Sequence, residues 1–149
     1  MRAFPHRYVI SAAAVPDGDV ALGGHGLPRL ASLPPAEFDG PGDRWSPETL
    51  VVAAVADCFV LTFRGIAKVS RLPWLSMTCE TTGTLDRVDH VTRFTGFELQ
   101  VSLAVPDGTS EELARRLLLR AEQTCLIANS LNAPCHVDVH IRVVQHAHA

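Results

Sequence analysis

Neither a CxxC nor a CxxH pair occurs in this chain, although it holds four cysteines, at positions 58, 79, 125 and 135. Without ligand pairs at short spacing, a zinc cage or a thioredoxin-type motif has no footing. An excess of positive charge is also missing. Thirteen Lys and Arg stand against 16 Asp and Glu, a formal charge of −3, so nucleic acid and anionic membrane are not expected partners. The longest apolar stretch, Leu50 to Phe63, is 14 residues and contains Asp57, short of the roughly 20 apolar residues that cross a bilayer. Nothing matches GxSxG, HExxH, a phosphate loop or a dinucleotide fingerprint, which removes hydrolase, zincin, nucleotide and nicotinamide chemistry from consideration. Tyr8 to Val15, after Arg2 and Arg7, is short for the hydrophobic region of a signal peptide. The protein is expected in the cytoplasm, where any disulfide is transient and catalytic rather than structural.

What is present suits one globular domain, residues 1–149, with 47% hydrophobic and 19% charged residues. Phe4 to Ala14 reads as a strand closed by Pro16-Asp17-Gly18, with Asp19 to Leu22 as its hairpin partner. The Gly- and Pro-rich stretch 23–46 has no period and is expected to be a long functional loop. Ser46-Pro47-Glu48 begins a helix: serine caps, proline suits the first helical position and glutamate complements the dipole. This helix is expected to run to about Arg71, before Pro73, and Leu50 to Phe63 is apolar nearly all round, which calls for burial on several sides. Trp74 to Leu85 and Thr92 to Val105 form a hairpin across Arg87-Val88-Asp89-His90. A capping box follows, with Thr109 as cap and Glu112 reaching back. In the second helix Leu113, Leu117 and Ala121 recur at intervals of four, and the next step is Cys125. Leu126 to Asn132 is a short further turn, Cys135 to Val144 a last strand, and 145–149 a tail containing His146 and His148. The order predicts an α+β fold with two core helices against a mainly antiparallel sheet.

Cys79 and Cys135 fall in strands and are expected to be inert packing residues. His136, Asp138 and His140 share one strand face, a spacing that could hold a metal, but an exposed polar face is the expectation and no metal or other cofactor is assigned. Cys58 and Cys125 each lie on an apolar helix face. Around them, Ser46-Pro47-Glu48, Leu50-Val51-Val52-Ala53-Ala54, Asp57-Cys58-Phe59 and the downstream Ala121 to Leu131 segment resemble the OsmC/Ohr family, the osmotically inducible and organic hydroperoxide resistance proteins.

The resemblance runs from the loop before Ser46 to the last strand. It implies an OsmC-like fold, an intertwined homodimer with its long helices buried between subunits, and thiol peroxidase activity without a cofactor. By the same resemblance, Cys58 is the peroxidatic thiol, Cys125 the resolving thiol and Glu48 a carboxylate that positions the reacting group. The implied partners are a small-molecule peroxide and an external thiol or dithiol reductant. Ten helical residues place Glu48 about 15 Å along the axis from Cys58, so it would serve the site of another chain. A simple dipole partner is its other reading. The family commonly places an arginine before the Pro-Glu helix, where Ala36 stands here; Arg44 or Arg29, in the same loop, is the expected substitute, and solvated surface charge is the other reading of each. Asp57 beside Cys58 and Leu126 after Cys125 also depart from the family pattern. Phe59 and Phe63 are expected in the wall of an apolar substrate pocket. The competing expectation is a non-catalytic dimeric domain of the same fold that binds a small apolar or thiol-reactive ligand.

Overall fold

A computed structural model describes residues 1–145, so the tail histidines His146 and His148 lie outside the described residues. The chain divides into two compact units, Met1–Val51 and Val52–Ala149.

In the first unit, β1 (Ser11–Ala13), β2 (Val20–Gly23) and β3 (Leu30–Ser32) form an antiparallel meander in that order. The expected strand Phe4–Ala14 contracts to β1 because only Ser11 to Ala13 finds partners, and the residues ahead of it are exposed. Stretch 23–46, expected as a structureless loop, contains β3 and a 3₁₀ turn at Ala36–Phe38. Ser32 bridges to Trp45, and the Leu33 N–H donates to the Trp45 carbonyl at 2.9 Å. Gly40 closes this segment: a Cβ there would stand 1.6 Å from the Pro34 carbonyl oxygen, so no other residue fits.

Helix α1 (Pro47–Val69) starts as its sequence dictates. The Thr49 N–H donates to Ser46 Oγ at 3.1 Å and the Ser46 N–H to Thr49 Oγ1 at 2.8 Å, a reciprocal cap with threonine in the place usual for glutamate. At its other end α1 stops two residues short of the expected Arg71. Arg71 takes φ 54°, and the Leu72 N–H reaches the Ala67 carbonyl at 3.0 Å, the left-handed closure that commonly ends a helix.

The expectation that α1 is buried on several sides is not met within one chain. Its buried residues are Val55, Phe59, Phe63 and Ala67, one row at four-residue steps, and the other side chains are half-buried or exposed. With 23 residues and a mean hydropathy of 2.0 over its most apolar window, α1 is longer than the apolar stretch read from sequence and meets the length and composition of a membrane span. Its buried row instead joins a protein core, where Phe63 meets Trp74 edge-on at 5.6 Å.

In the second unit, β4 (Ser76–Val88) and β5 (Val91–Pro106) form the expected hairpin. Its turn is just Asp89-His90, both at positive φ (51° and 67°), the twist a two-residue hairpin requires. β6 (Cys135–Val144) pairs with β5 in parallel, which modifies the mainly antiparallel expectation. The helical connection α2 (Glu111–Thr124) and α3 (Leu126–Asn129) carries the chain back to the starting end of β5, as a parallel pairing demands. Leu99, Val101 and Leu103 of β5 line the buried face. The cap of α2 is Ser110 rather than Thr109: Ser110 holds an extended backbone and its Oγ accepts from the Leu113 N–H at 3.1 Å. That geometry belongs to the residue directly before the first helical one.

Gly83 sets how closely α1 approaches β4. A Cβ on it would lie 2.7 Å from Val52 Cγ2 and 3.0 Å from both Phe94 and Phe97 Cε1. Gly83→Ala is therefore expected to destabilise the fold by about 1–3 kcal/mol, read by urea denaturation. Adding Val52→Ala, which removes the closest atom, should return part of that loss; an unchanged midpoint in the single variant would contradict the close approach.

Candidate active site

Cys58 precedes the buried Phe59 on α1 and so points about 100° around the axis from the core row. It is half-buried, with its sulfur 3.9 Å from Thr62 Oγ1 one turn on. Cys125 reaches the same place differently. The helical step expected to carry it ends one residue early, at Thr124, and Cys125 forms the corner between α2 and α3 with an extended backbone (φ −63°, ψ 105°). The corner is tied by the Asn129 N–H to the Cys125 carbonyl at 3.0 Å and by Asn129 Nδ2 to the Gln123 carbonyl at 3.1 Å. Ala114, Leu117, Leu118 and Ala121 anchor α2, whereas Leu113, expected in that row, is half-buried.

The two thiols lie near enough to act on each other. Burial pushes the Cys125 thiol up to about 11; hydrogen bonding and charge from Cys58 add to the rise, and the backbone N–H groups of Ala128 and Ile127 oppose it. Cys125 is only 2% exposed, while Cys58 opens into a cavity of about 450 Å³ lined by Ala54, Asp57, Cys58, Leu61, Thr62, Leu126 and Ile127. Cys58 is thus reachable from outside and Cys125 is sheltered.

Other expected site residues stand elsewhere. Phe59 and Phe63, assigned to the pocket wall, are 1% and 0% exposed in the core, because the four-residue row that includes them faces the protein interior. Arg44 belongs to the first compact unit, where it pairs with Asp19 and Asp43, each at 3.3 Å. Arg29 is exposed. Glu48 also belongs to that unit, and its Oε2 is buried without a hydrogen-bond partner among the described residues. Cys79 and Cys135 are half-buried thiols that burial pushes up, Cys135 further through the Glu122 carboxylate and Cys79. On the exposed face of β6, His136 lies 3.3 Å from Asp138, which also accepts from Gln100. Among the described residues no three His, Cys, Asp or Glu side chains are grouped to hold a metal.

Sequence reasoning missed Thr62, Leu61, Leu126 and Ile127. The first could have been found, since position i+4 from Cys58 is its neighbour on a helix. Leu126 and Ile127 depend on the corner at Cys125, which no helical period announces.

Residues 40–140 match the family model described as OsmC-like protein. The chain belongs to the OsmC family. Among curated relatives, the uncharacterized protein YmaD of Bacillus subtilis is 23% identical over 112 residues, covering 73% of this chain and 75% of that one. This OsmC-family chain also has the fold of an OsmC-like protein of unknown function from Vibrio cholerae, with a TM-score of 0.81 and 19% identity, over 91% of this chain and 100% of that one. An organic hydroperoxide resistance protein OsmC from Legionella pneumophila superposes with a TM-score of 0.73 at 22% identity, over 95% and 100% of the two chains. OhrB of Bacillus subtilis, an organic hydroperoxide resistance protein, gives 0.65 at 18% identity over 92% and 98%.

The thiol contact has a measurable consequence. Removing Cys58 by Cys58→Ala should lower the pH at which Cys125 is alkylated, while burial keeps it above that of an ordinary thiol. The folded thiol holds its proton more tightly than the unfolded one, so its contribution to stability is complete below the unfolded value and lost as pH rises toward about 11. Stability measured between pH 8 and 11 should accordingly fall more steeply in the wild type than in Cys125→Ala.

Proposed function

We propose that this protein is a thiol-dependent peroxidase that reduces organic hydroperoxides through Cys58 and Cys125. The observation that carries this reading is the nearness of a cavity-lining thiol to a buried one that it influences. The Cys58 thiolate attacks the terminal peroxide oxygen; the O–O bond breaks, an alcohol leaves after protonation, and Cys58 becomes a sulfenic acid. The Cys125 thiol then attacks the Cys58 sulfur, water leaves, and a disulfide forms before further oxidation. An external thiol or dithiol supplies two electrons and two protons to restore both thiols. The high proton affinity of Cys125 suits the second role, because a thiol that keeps its proton does not compete for peroxide.

The working form is a homodimer in the cytoplasm. In support, Leu61 and Val69 of α1 are 50% and 85% exposed, and the apolar side chains Phe4, Tyr8, Val9 and Ile10 lie uncovered. Glu48, with its unpartnered buried oxygen, positions the reacting group of a second copy, the role its distance along α1 from its own Cys58 leaves open. Arg44 supplies a cation only by leaving its carboxylate partners.

A specific feature favours a second reading, a non-catalytic domain that binds a small apolar or thiol-reactive ligand: among the described residues the cavity lining includes Asp57 and no Arg, Lys or His. Titration of free thiols after one equivalent of cumene hydroperoxide separates the two. The peroxidase reading expects two thiols lost in the reduced wild type, none in Cys58→Ser, and no disulfide in Cys125→Ser. Full retention of thiols in the wild type would leave the binding reading. Sedimentation should return twice the 16.1 kDa chain mass, and a monomer would remove the dimer.

A further inference from the structure

The lining of the Cys58 cavity is apolar at Ala54, Leu61, Leu126 and Ile127, with Thr62 beside the sulfur and one charged side chain, Asp57. Asp57 is exposed and makes no ion pair among the described residues. Arg64 and Lys68, the cations that follow on α1, stand roughly 10 and 16 Å further along the axis and do not line the cavity. On this chain's side of the cavity, a molecule approaching the Cys58 sulfur therefore meets a carboxylate and, among the described residues, no compensating cation. Two unit charges several ångströms apart at a protein surface interact by an energy that changes a rate several-fold, and salt screens the effect.

We infer that Asp57 is a specificity-determining residue that makes the Cys58 cavity select neutral or cationic thiol-reactive molecules and turn away anionic ones. This rests on Cys58 being the reacting thiol and narrows the substrate class to uncharged apolar hydroperoxides over those that bring a carboxylate or other negative group to the sulfur. Asp57 touches the incoming molecule's surroundings, not the bond that breaks, so its removal changes which reagent is preferred.

The test compares two alkylating reagents of nearly equal size, neutral iodoacetamide and anionic iodoacetate, on the fully reduced protein, with alkylation of the Cys58 peptide followed by mass spectrometry. Both react with the thiolate, so any change in the fraction of Cys58 that is ionised cancels in the ratio of their rate constants. In Asp57→Asn the preference for iodoacetamide over iodoacetate is expected to fall roughly 3- to 10-fold at low ionic strength. The difference should shrink in 1 M salt, and Asp57→Glu should keep the wild-type preference. The same variants are then offered neutral cumene hydroperoxide and anionic linoleate hydroperoxide, with an accompanying gain for the anionic peroxide in Asp57→Asn. An alkylation ratio equal in wild type and Asp57→Asn, or a shift that salt leaves untouched, overturns the inference. A normal shift in that ratio with no peroxide consumed by any variant supports charge selection at Cys58 and overturns the peroxidase reading alone.

Discussion

The row Val55, Phe59, Phe63 and Ala67 fixes the rotation of α1 about its own axis, and most of what matters about the candidate site follows from that rotation. Once these side chains enter the core, Cys58 is held at the edge of the row, neither fully buried nor fully exposed, with Asp57, Leu61 and Thr62 around it. Gly83 is part of the same constraint, because its missing side chain leaves room for Val52 and two phenylalanine rings. A helix rolled by one position would bring Asp57 toward the core or turn Cys58 toward solvent.

Cys125 arrives by a different kind of constraint. Its position depends on the break between α2 and α3, tied by two hydrogen bonds from Asn129. Burial on one side and a thiol neighbour on the other make it a group that holds its proton. The pair is therefore unequal by construction: the more accessible thiol sits on a 23-residue helix, and the sheltered one sits at the corner between α2 and α3.

The helices and the long strands were legible because each carries a strong local signal. Ser46-Pro47 starts α1, the apolar alternation from Phe97 to Leu103 in β5 and from Val137 to Val143 in β6 runs over seven residues, and the turn at Asp89-His90 lies within the segment read as a turn. The three-residue strand β3 was not legible and β1 was read too long, since a period needs more positions than they have. The parallel pairing of β6 with β5 was missed for a related reason: alternation shows which face is buried and says nothing about direction. Phe59 and Phe63 were misplaced because an apolar helix does not declare which of its sides meets the core and which is left for something else.

The sequence by itself determined which segments become helix or strand, that Cys58 lies on an apolar helix, and that the family is OsmC, because caps, periods and motifs are written in neighbouring residues. Only the tertiary structure decided that Cys58 and Cys125, separated by 67 positions along the chain, come near enough to interact and that Asp57 lines the Cys58 cavity while Phe59 and Phe63 lie in the core. Those outcomes depend on the roll of one helix and the bend after another, which are set by packing between distant residues and have no local signature.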